Sequence, residues 1–288
     1  MTERIRDLTL VSAGGWPLGA TLFQAPSPNS EKPAVLISSA AGAPRGYYTK
    51  FAQALIYGGA PAVLTYDYRG MHGSKGDRSR WPELRMFQWG EHDFTAVAEF
   101  LKDHVQGGPI VGLGHSYGGQ APGLSAAWSL FERYGTVATL NGYWRGTDQP
   151  IRVWLQTQIA GRALAKFWGH VPDSFPGAGG MPGTIMKDWA DWIARPDYFF
   201  DLEDVPATRH FPNVKLPLAS FRPADDPWAT KRAVETFMAR YTAADLTHHV
   251  IEPGPSGPIG HLGFFRSVHR ESHWPTVIRY LLENKRPD

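Results

Sequence analysis

Short apolar runs recur along the first half of the chain, and stretches of helical spacing separate them. Ala34–Ile37, Ala62–Leu64 and Ile110–Leu113 are continuously apolar, which is typical of strands buried on both faces of a parallel sheet. Tyr48–Tyr57 and Trp89–His104 place apolar side chains at helical spacing between them. This alternation predicts the α/β class, with a mostly parallel central sheet and helices on both faces.

The remaining elements follow from the same pattern. Leu8–Val11 and Leu18–Phe23 flank a glycine turn, and they predict an antiparallel pair at one edge of the sheet. Further strands are predicted at Thr136–Leu140, Leu216–Phe221 and Thr247–Ile251, and further helices at Thr230–Ala239 and Trp274–Asn284.

The alternation stops between residues 144 and 209. This segment is rich in Trp, Pro and Gly, and its two candidate helices are Ile151–Phe167 and Thr184–Ala194. Because the α/β pattern resumes afterwards, we interpret 144–209 as a helical cap inserted into an α/β core of residues 1–143 and 210–288. The alternative is a set of ordinary helices that cover the sheet.

Residues 114–118 have the sequence Gly-His-Ser-Tyr-Gly, directly after a predicted strand. Gly-x-Ser-x-Gly in this context is the pattern of a nucleophile elbow, a sharp turn that exposes its serine at the top of a sheet. The turn strains the serine backbone and leaves no room for side chains at Gly114 and Gly118. We therefore predict Ser116 as a nucleophile, followed by a helix packed close to the sheet. His115 is expected to point away from the pocket and to pack.

An acid and a histidine follow later strands in the order that such a serine needs. Asp225 and Asp226 come just after one late strand, and His261 lies in a glycine-rich loop after the next. The acid would hold the histidine in one tautomer while the histidine takes the serine proton. We favour Asp226 over Asp225, so that Ser116, Asp226 and His261 form a predicted triad. A capped turn is the alternative interpretation of the two aspartates.

Composition excludes several other classes of protein. The net charge of the 288 residues is +2 and no basic cluster stands out, so we expect no nucleic-acid partner. The chain has no cysteine, which excludes disulfides, thiolate metal sites and a cysteine nucleophile. No apolar run approaches membrane-spanning length, and Met1–Thr9 lacks the apolar region of a secretory signal. We expect a cytoplasmic protein without a membrane span, and a homodimer stays open.

Together these motifs resemble the α/β-hydrolase superfamily over essentially the whole chain. The resemblance rests on Gly114–Gly119, Asp67–Ser74, Asp225-Asp226-Pro227 and Gly260-His261. More narrowly, the chain is similar to a poorly characterised bacterial branch of predicted hydrolases. Its members combine a tryptophan-rich cap with a small-residue oxyanion loop, here Ala40-Ala41-Gly42.

The resemblance implies a serine hydrolase that cleaves an ester-like acyl bond of a small, apolar or ring-bearing substrate through an acyl-serine intermediate. The backbone N–H groups of Ala40 and Tyr117 would bind the oxyanion, with Ala41 as the alternative to Ala40. The mechanism needs no metal or organic cofactor. Four tryptophans are predicted to contact the substrate, with core packing as the alternative for each: Trp144, Trp154, Trp189 and Trp192.

The same triad serves other reactions, and the sequence does not choose among them. An aminopeptidase, thioesterase, lactonase, haloperoxidase-like enzyme or acyltransferase would use the same nucleophile. A non-catalytic ligand-binding protein on this scaffold is an alternative of a different class, and the intact set of Ser, Asp and His argues against it.

Overall fold

Eight strands form one sheet in the computed structural model, which describes residues 3–27 and 31–286. The strands are β1 (Arg4–Ser12), β2 (Trp16–Gln24), β3 (Ala34–Ser38), β4 (Ala62–Tyr66), β5 (Ile110–His115), β6 (Tyr134–Val137), β7 (Pro217–Pro223) and β8 (Asp245–Ile251). Their order across the sheet is β1-β2-β4-β3-β5-β6-β7-β8. Residues 1–2, 28–30 and 287–288 of the predicted core lie outside the described residues.

The pairing of these strands confirms the predicted sheet. β1 and β2 pair antiparallel at one edge, and β2 pairs antiparallel with β4. Every neighbouring pair from β4 to β8 is parallel. The apolar runs form β3, β4 and β5, and every residue of these strands is buried, because helices cover both faces of a parallel sheet.

Helices and short turns connect the strands. The α-helices are α1 (Thr49–Tyr57), α2 (Thr95–His104), α3 (Pro150–Trp154), α4 (Arg162–Trp168), α5 (Gly183–Ile193), α6 (Lys231–Met238) and α7 (Trp274–Glu283). Two π-helical turns, Trp89–Phe94 and Leu155–Gly161, run directly into α2 and α4. No helix within the described residues is long and apolar enough to cross a bilayer.

The helix predicted after Ser116 is wrong. Three consecutive 3₁₀ turns follow β5 instead, at Ser116–Gly119, Ala121–Leu124 and Ala126–Leu130. Pro122 has no backbone N–H to donate, and glycine is a poor helix former. At Gly123 an added Cβ would lie 2.3 Å from the ring of Phe211, so this segment packs too tightly for a regular helix bearing side chains.

The strand predicted at Thr136–Leu140 begins earlier and ends earlier, as β6. Ala138, directly after β6, has a φ of 55°, in the left-handed region that turns a chain out of a strand. The apolar residues that follow it are buried in the connection to the next segment. A buried loop and a buried strand share the same apolar pattern, so the sequence did not separate them.

The segment between β6 and β7 contains α3, the π turn Leu155–Gly161, α4 and α5. It is anchored to the core by a buried carboxylate, because Asp188 on α5 accepts hydrogen bonds from Arg85 Nε and Met86 N at 2.8 and 2.9 Å. Thr184 adds a hydrogen bond to the carbonyl of Trp81 at 3.0 Å. These contacts hold the segment against the loop that follows β4.

Residues 66–70, with the sequence Tyr-Asp-Tyr-Arg-Gly, support this loop. Arg69 forms a buried ion pair with Asp93 at 2.7 Å, and Tyr68 stacks on Trp89 with ring centroids 4.8 Å apart. A buried charge is tolerated when it is paired and hydrogen-bonded. The motif therefore fixes the loop that meets the segment above the sheet.

Candidate active site

Ser116 lies at the carboxyl end of β5, in a strained turn. Its φ is 52°, a left-handed value that a residue with a side chain adopts only where its surroundings enforce it. An added Cβ at Gly114 would lie 2.2 Å from the carbonyl of Gly118, and one at Gly118 would lie 2.1 Å from the carbonyl oxygen of Ser38. Both glycines are thus required by close backbone contacts, as the pattern predicts.

The three side chains of the predicted triad meet at this point. His261 Nε2 lies 3.0 Å from Ser116 Oγ, and His261 Nδ1 lies 2.8 Å from Asp226 Oδ2. The other oxygen of Asp226 accepts the backbone N–H groups of Trp228 and Ala229 at 2.8 and 3.0 Å. The carboxylate is therefore held in place from both sides, with one oxygen facing the imidazole.

The buried carboxyl of Asp226 keeps its negative charge. Burial is the largest influence and by itself raises the pKa, but the charge of His261 and its hydrogen bond lower it, as do the two backbone N–H groups. The net result is a pKa of Asp226 below its ordinary value. Asp226 is therefore an anion at neutral pH, and Nδ1 of His261 donates its proton to it.

Asp225 binds the loop that carries the histidine. Its two oxygens accept the backbone N–H groups of Ile259 and Gly260 at 2.8 and 3.0 Å. The neighbouring aspartates thus contact different parts of one loop: Asp226 contacts the imidazole of His261, and Asp225 contacts the backbone before it. A capped turn, the alternative interpretation of this pair, describes only the contacts of Asp226 with the following N–H groups.

A buried hydrogen-bond chain joins the small-residue loop after β3 to the loop of His261. The N–H of Ala40 donates to the hydroxyl of Tyr48 at 2.9 Å, and this hydroxyl lies 2.9 Å from Nδ1 of His115. Nε2 of His115 lies 2.8 Å from the carbonyl oxygen of His261. Tyr48 and His115 are both completely buried, so water does not compete for these bonds.

The groups at the two ends of this hydrogen-bond chain determine which nitrogen of His115 carries the proton. Burial lowers the pKa of His115 to about 3, so its ring is neutral. The carbonyl of His261 can only accept, so Nε2 carries the proton and Nδ1 accepts from the hydroxyl of Tyr48. His115 was expected only to pack. It does pack against Phe265, with centroids 5.0 Å apart, but its hydrogen bond to the loop of His261 is the contact that sequence reasoning missed.

The hydrogen bond between Ala40 and Tyr48 contradicts the prediction that the N–H of Ala40 donates to an oxyanion. Its N–H is directed at the buried Tyr48 and is not available on the side of Ser116. Ala41, the alternative, lines the cavity beside Ser116. No hydrogen bond from the N–H of Ala41 occurs within the part of the chain that the structure describes.

A cavity of about 440 Å³ opens over Ser116 and His261. Its floor and walls are mostly apolar, and polar side chains occur where the segment between β6 and β7 crosses it. The apolar lining comprises Ala40, Ala41, Ala43, Pro44, Tyr47, Pro176, Trp189, Pro227, Trp228 and Leu262, and the polar side chains of that segment are Gln149, Arg152 and Gln156.

Of the four tryptophans predicted to contact substrate, all within the described residues, Trp189 alone lines this cavity. Trp192 is buried against Tyr198, with ring centroids 5.7 Å apart. Trp154 is 38% exposed, and the ring of Trp144 lies under the guanidinium of its neighbour Arg145 at 4.7 Å. Trp192 therefore packs in the core. Trp144 and Trp154 do not line the cavity either, so the structure shows none of these three rings at the predicted substrate contact.

Trp228 is the cavity residue that sequence reasoning missed. Its ring stacks on His261 with centroids 5.8 Å apart and on Trp189 with centroids 6.1 Å apart. The available signal was its place directly after Asp226-Pro227, since a residue two positions after the acid lies beside the imidazole. Trp228 and Trp189 form a continuous aromatic wall over the base.

Comparison with known proteins places this site in a family context. A family model described as the alpha/beta hydrolase family matches residues 34–274, which include all three triad residues. No curated protein sequence matches the chain significantly.

Solved structures share the fold at low sequence identity. A soluble variant of monoglyceride lipase from Saccharomyces cerevisiae is 16% identical, with a TM-score of 0.69 over 98% of this chain and 95% of that one. The Pyrococcus furiosus esterase Pf2001 is 15% identical, with a TM-score of 0.60 over 97% and 92%. A dienelactone hydrolase from Anabaena variabilis is 14% identical, with a TM-score of 0.53 over 97% and 95%.

Proposed function

Since the chain belongs to the alpha/beta hydrolase family, we propose that it is a serine hydrolase that cleaves carboxylic esters of small, apolar or ring-bearing molecules. One observation carries the proposal: Ser116 Oγ, the imidazole of His261 and the Asp226 carboxylate lie in hydrogen-bonded sequence at 3.0 and 2.8 Å. This is the arrangement in which a histidine activates a serine for attack on an acyl carbon.

Acylation of the serine is the first half of the proposed reaction. Ser116 Oγ attacks the ester carbonyl carbon while Nε2 of His261 takes the hydroxyl proton. The ionised Asp226 stabilises the imidazolium that forms, through Nδ1. When the tetrahedral intermediate collapses, the bond to the alcohol oxygen breaks, and His261 gives its proton to the departing alcohol. Ser116 then carries the acyl group as an ester.

Water completes the reaction by the same steps. It attacks the acyl carbon as His261 takes one of its protons, and the second tetrahedral intermediate releases the carboxylic acid. The proton returns from His261 to Ser116 Oγ, which restores the starting state. Every proton in both halves passes through Nε2 of one imidazole.

We assign the oxyanion donors to the backbone N–H groups of Tyr117 and Ala41. Tyr117 is the second residue of the 3₁₀ turn that begins at Ser116, and the first N–H groups of such a turn have no partner inside it. Ala41 replaces Ala40, whose N–H is bonded to Tyr48. Fixed N–H groups at this place stabilise the charge that develops on the carbonyl oxygen.

The cavity supports a small, apolar acyl or alcohol group. Its volume of about 440 Å³ lies within the range of sites for small organic ligands. The stacked rings of Trp189 and Trp228 offer a flat apolar wall that suits a ring. The lipase and esterase names of the structural neighbours agree with this substrate class.

A substrate panel with an active-site probe tests the proposal. The protein is expected to hydrolyse p-nitrophenyl esters faster than aminoacyl anilides, and a fluorophosphonate is expected to label Ser116. Ser116→Ala should abolish labelling and lower kcat by a factor of about 10⁴ or more, whereas Ser129→Ala, on an exposed turn, should change neither. Hydrolysis of anilides in preference to esters would favour an aminopeptidase, and labelling that survives in Ser116→Ala would overturn the assignment.

A further inference from the structure

The segment above the active site exposes one strongly apolar face. Residues 150–168, called the cap helix here, run continuously through α3, the π turn and α4. Val153, Thr157 and Gly161 are buried on its inner side, and an added Cβ at Gly161 would lie 2.5 Å from Met186 on α5. The outer side carries large apolar residues, whose exposure ranges from 38% to 76%: Ile151, Trp154, Leu155, Ile159, Phe167 and Trp168.

This concentration is not the ordinary scatter of apolar residues over a surface. Among the described residues, twelve large hydrophobic side chains are exposed, and six of them lie on the cap helix. Single exposed apolar residues need no explanation, but a contiguous group marks a surface that binds something. Ile151, Leu155, Ile159 and Phe167 follow one another at intervals of four or eight residues, so they share one side of the helix.

The charges on the cap helix itself have one sign. Residues 149–172 contain Arg152, Arg162 and Lys166 and no Asp or Glu. A second cavity, of about 740 Å³, opens at the end of the cap helix beside Trp168. Its basic lining consists of Arg78, Arg162, Lys166, His170 and Lys187.

Two cations of this second cavity share one carboxylate. Asp191 accepts from Arg162 and Lys187 at 2.5 and 2.9 Å. Arg78 and Lys166 have no ion pair within the described residues, and their charged groups lie near aromatic rings instead. The cavity therefore keeps positive charge for an anion from outside.

We propose that the cap helix and the adjoining basic cavity bind the surface of an anionic phospholipid bilayer. A helix with tryptophan, phenylalanine and leucine on one side and only Lys and Arg as charged residues is the type that lies in the bilayer interface. The apolar side chains enter the boundary between headgroups and acyl chains, and a lipid phosphate lies between Arg78 and Lys166. Basic residues near such a surface each add attraction to anionic lipids.

The position of this surface gives it a role beside the hydrolase activity. Gln149, Arg152 and Gln156 lie in the same stretch of chain and line the active-site cavity. The mouth of that cavity would face the bilayer edge, so an apolar ester could pass from the lipid to Ser116 without crossing water. This delivery role rests on the proposed function, whereas the lipid binding itself does not.

Vesicle co-sedimentation tests the binding directly. The full chain is expected to pellet with vesicles of equal parts phosphatidylglycerol and phosphatidylcholine, and binding should weaken with phosphatidylcholine alone or with added salt. Ile159→Ser/Phe167→Ser should lower the partition coefficient about ten-fold or more. The control is Ile5→Ser/Tyr57→Ser, in which Ile5 is as exposed as Ile159 (48% against 52%) but lies on β1; it should bind like the wild type.

The charge contribution has its own pair of variants. Lys166→Glu should lower binding to the anionic vesicles about five-fold or more, whereas Lys50→Glu, on α1, should leave it unchanged. Hydrolysis of a short water-soluble ester should be equal in all of these proteins, which separates a loss of binding from a loss of folding or of catalysis.

Three results would overturn the proposal. The wild type could fail to pellet with anionic vesicles, or the control variants could lose binding as much as the cap-helix variants. In the third result, the protein would bind no vesicles, and sedimentation velocity would show a dimer that Ile159→Ser/Phe167→Ser converts to a monomer. The apolar face would then be covered by a second copy of the chain. Absence of ester hydrolysis with intact vesicle binding would instead count against the proposed function alone.

Discussion

The two sides of the candidate active site are built by different forces. On the core side, hydrogen bonds hold nearly every reacting group: Asp226 is held by two N–H groups and the imidazole, and the loop of His261 is held by Asp225 and His115. On the opposite side, the cavity is lined by the ring of Trp189 and by side chains of the cap helix. That helix has an exposed apolar face and packs through small residues such as Gly161.

This difference suggests that the two sides affect different kinetic properties: the reaction rate on one side and the substrate preference on the other. Hydrogen bonds have directions, so a buried and fully bonded set of groups keeps atoms within the short distances that proton transfer needs. Apolar contacts lack direction and adapt to different shapes. We therefore expect variants on the core side to change kcat, and variants on the cap side to change which substrate is preferred.

The largest expected effect comes from removing the charge that faces His261. Asp226→Asn should lower kcat by a factor of about 10³ to 10⁴, because the imidazole loses its anion and its tautomer. Asp225→Asn is the matched control: it changes the same chemical group but contacts only backbone N–H groups, so its loss should be much smaller. Steady-state kinetics on one p-nitrophenyl ester ranks the two, and the reverse ranking would move the acid to Asp225.

A smaller loss is expected when the buried chain behind the site is broken. Tyr48→Phe leaves the N–H of Ala40 and Nδ1 of His115 without partners, at about 1–3 kcal/mol per buried group. Because Ala40 and His115 contact the two loops of the site, the loss of these hydrogen bonds should shift the loops. We expect kcat to fall about ten-fold, with KM little changed.

Tyr280→Phe provides the comparison for that change. It removes a different buried hydroxyl, which donates to the backbone carbonyl of Pro217 on β7 and contacts neither loop of the site. Both variants should lose stability in urea unfolding, but kcat should fall in Tyr48→Phe alone. Equal kcat values in the two proteins would mean that Tyr48 stabilises the fold and does not position the site.

On the cap side, two tryptophans of α5 should behave in opposite ways. Trp189→Ala should lower the ratio of kcat/KM for an aromatic ester to that for an acetate ester by a factor of about 5 to 150, which corresponds to about 1–3 kcal/mol for one large apolar contact. Trp192→Ala should leave that ratio unchanged and lower the free energy of unfolding by about 3–5 kcal/mol, because its ring fills the core. A ratio that stays constant in Trp189→Ala would show that its ring only packs.

The last expected effect leaves activity at neutral pH unchanged and concerns how stability depends on pH. His115 titrates near 6.5 when unfolded, and burial depresses its folded pKa to about 3. Between these values the unfolded chain binds the proton and the folded chain does not, so stability falls as the pH falls from 6.5 toward 3. The slope from this residue is about 1.4 kcal/mol per pH unit, and it is absent above pH 6.5.

His115→Gln checks this slope, since glutamine does not titrate. Urea unfolding through the acid window should show a shallower loss of stability in the variant than in the wild type. Parallel curves for the variant and the wild type would mean that His115 is protonated while folded.

The parts of this protein that the sequence predicted are those with local causes. The elbow is specified within Gly114–Gly118, because the backbone approaches Gly114 and Gly118 too closely for any side chain. The sheet follows from apolar runs of strand length, and the order of Ser116, Asp226 and His261 follows from the strand ends on which they lie. Within each strand end, however, the choice between Asp225 and Asp226 required the side-chain directions seen in the structure.

The tertiary structure alone decided the contacts between distant segments. Nε2 of His115 reaches the carbonyl oxygen of His261, 146 positions along the chain, only because the fold brings the two segments together. Arg78 and Lys166 line one basic cavity, although no cluster of charge is visible along the chain. Which side of the cap helix faces inward is decided by its packing against α5, where a Cβ at Gly161 would lie 2.5 Å from Met186. A pattern of apolar residues states that a side chain prefers to be covered, and only packing determines which surface covers it.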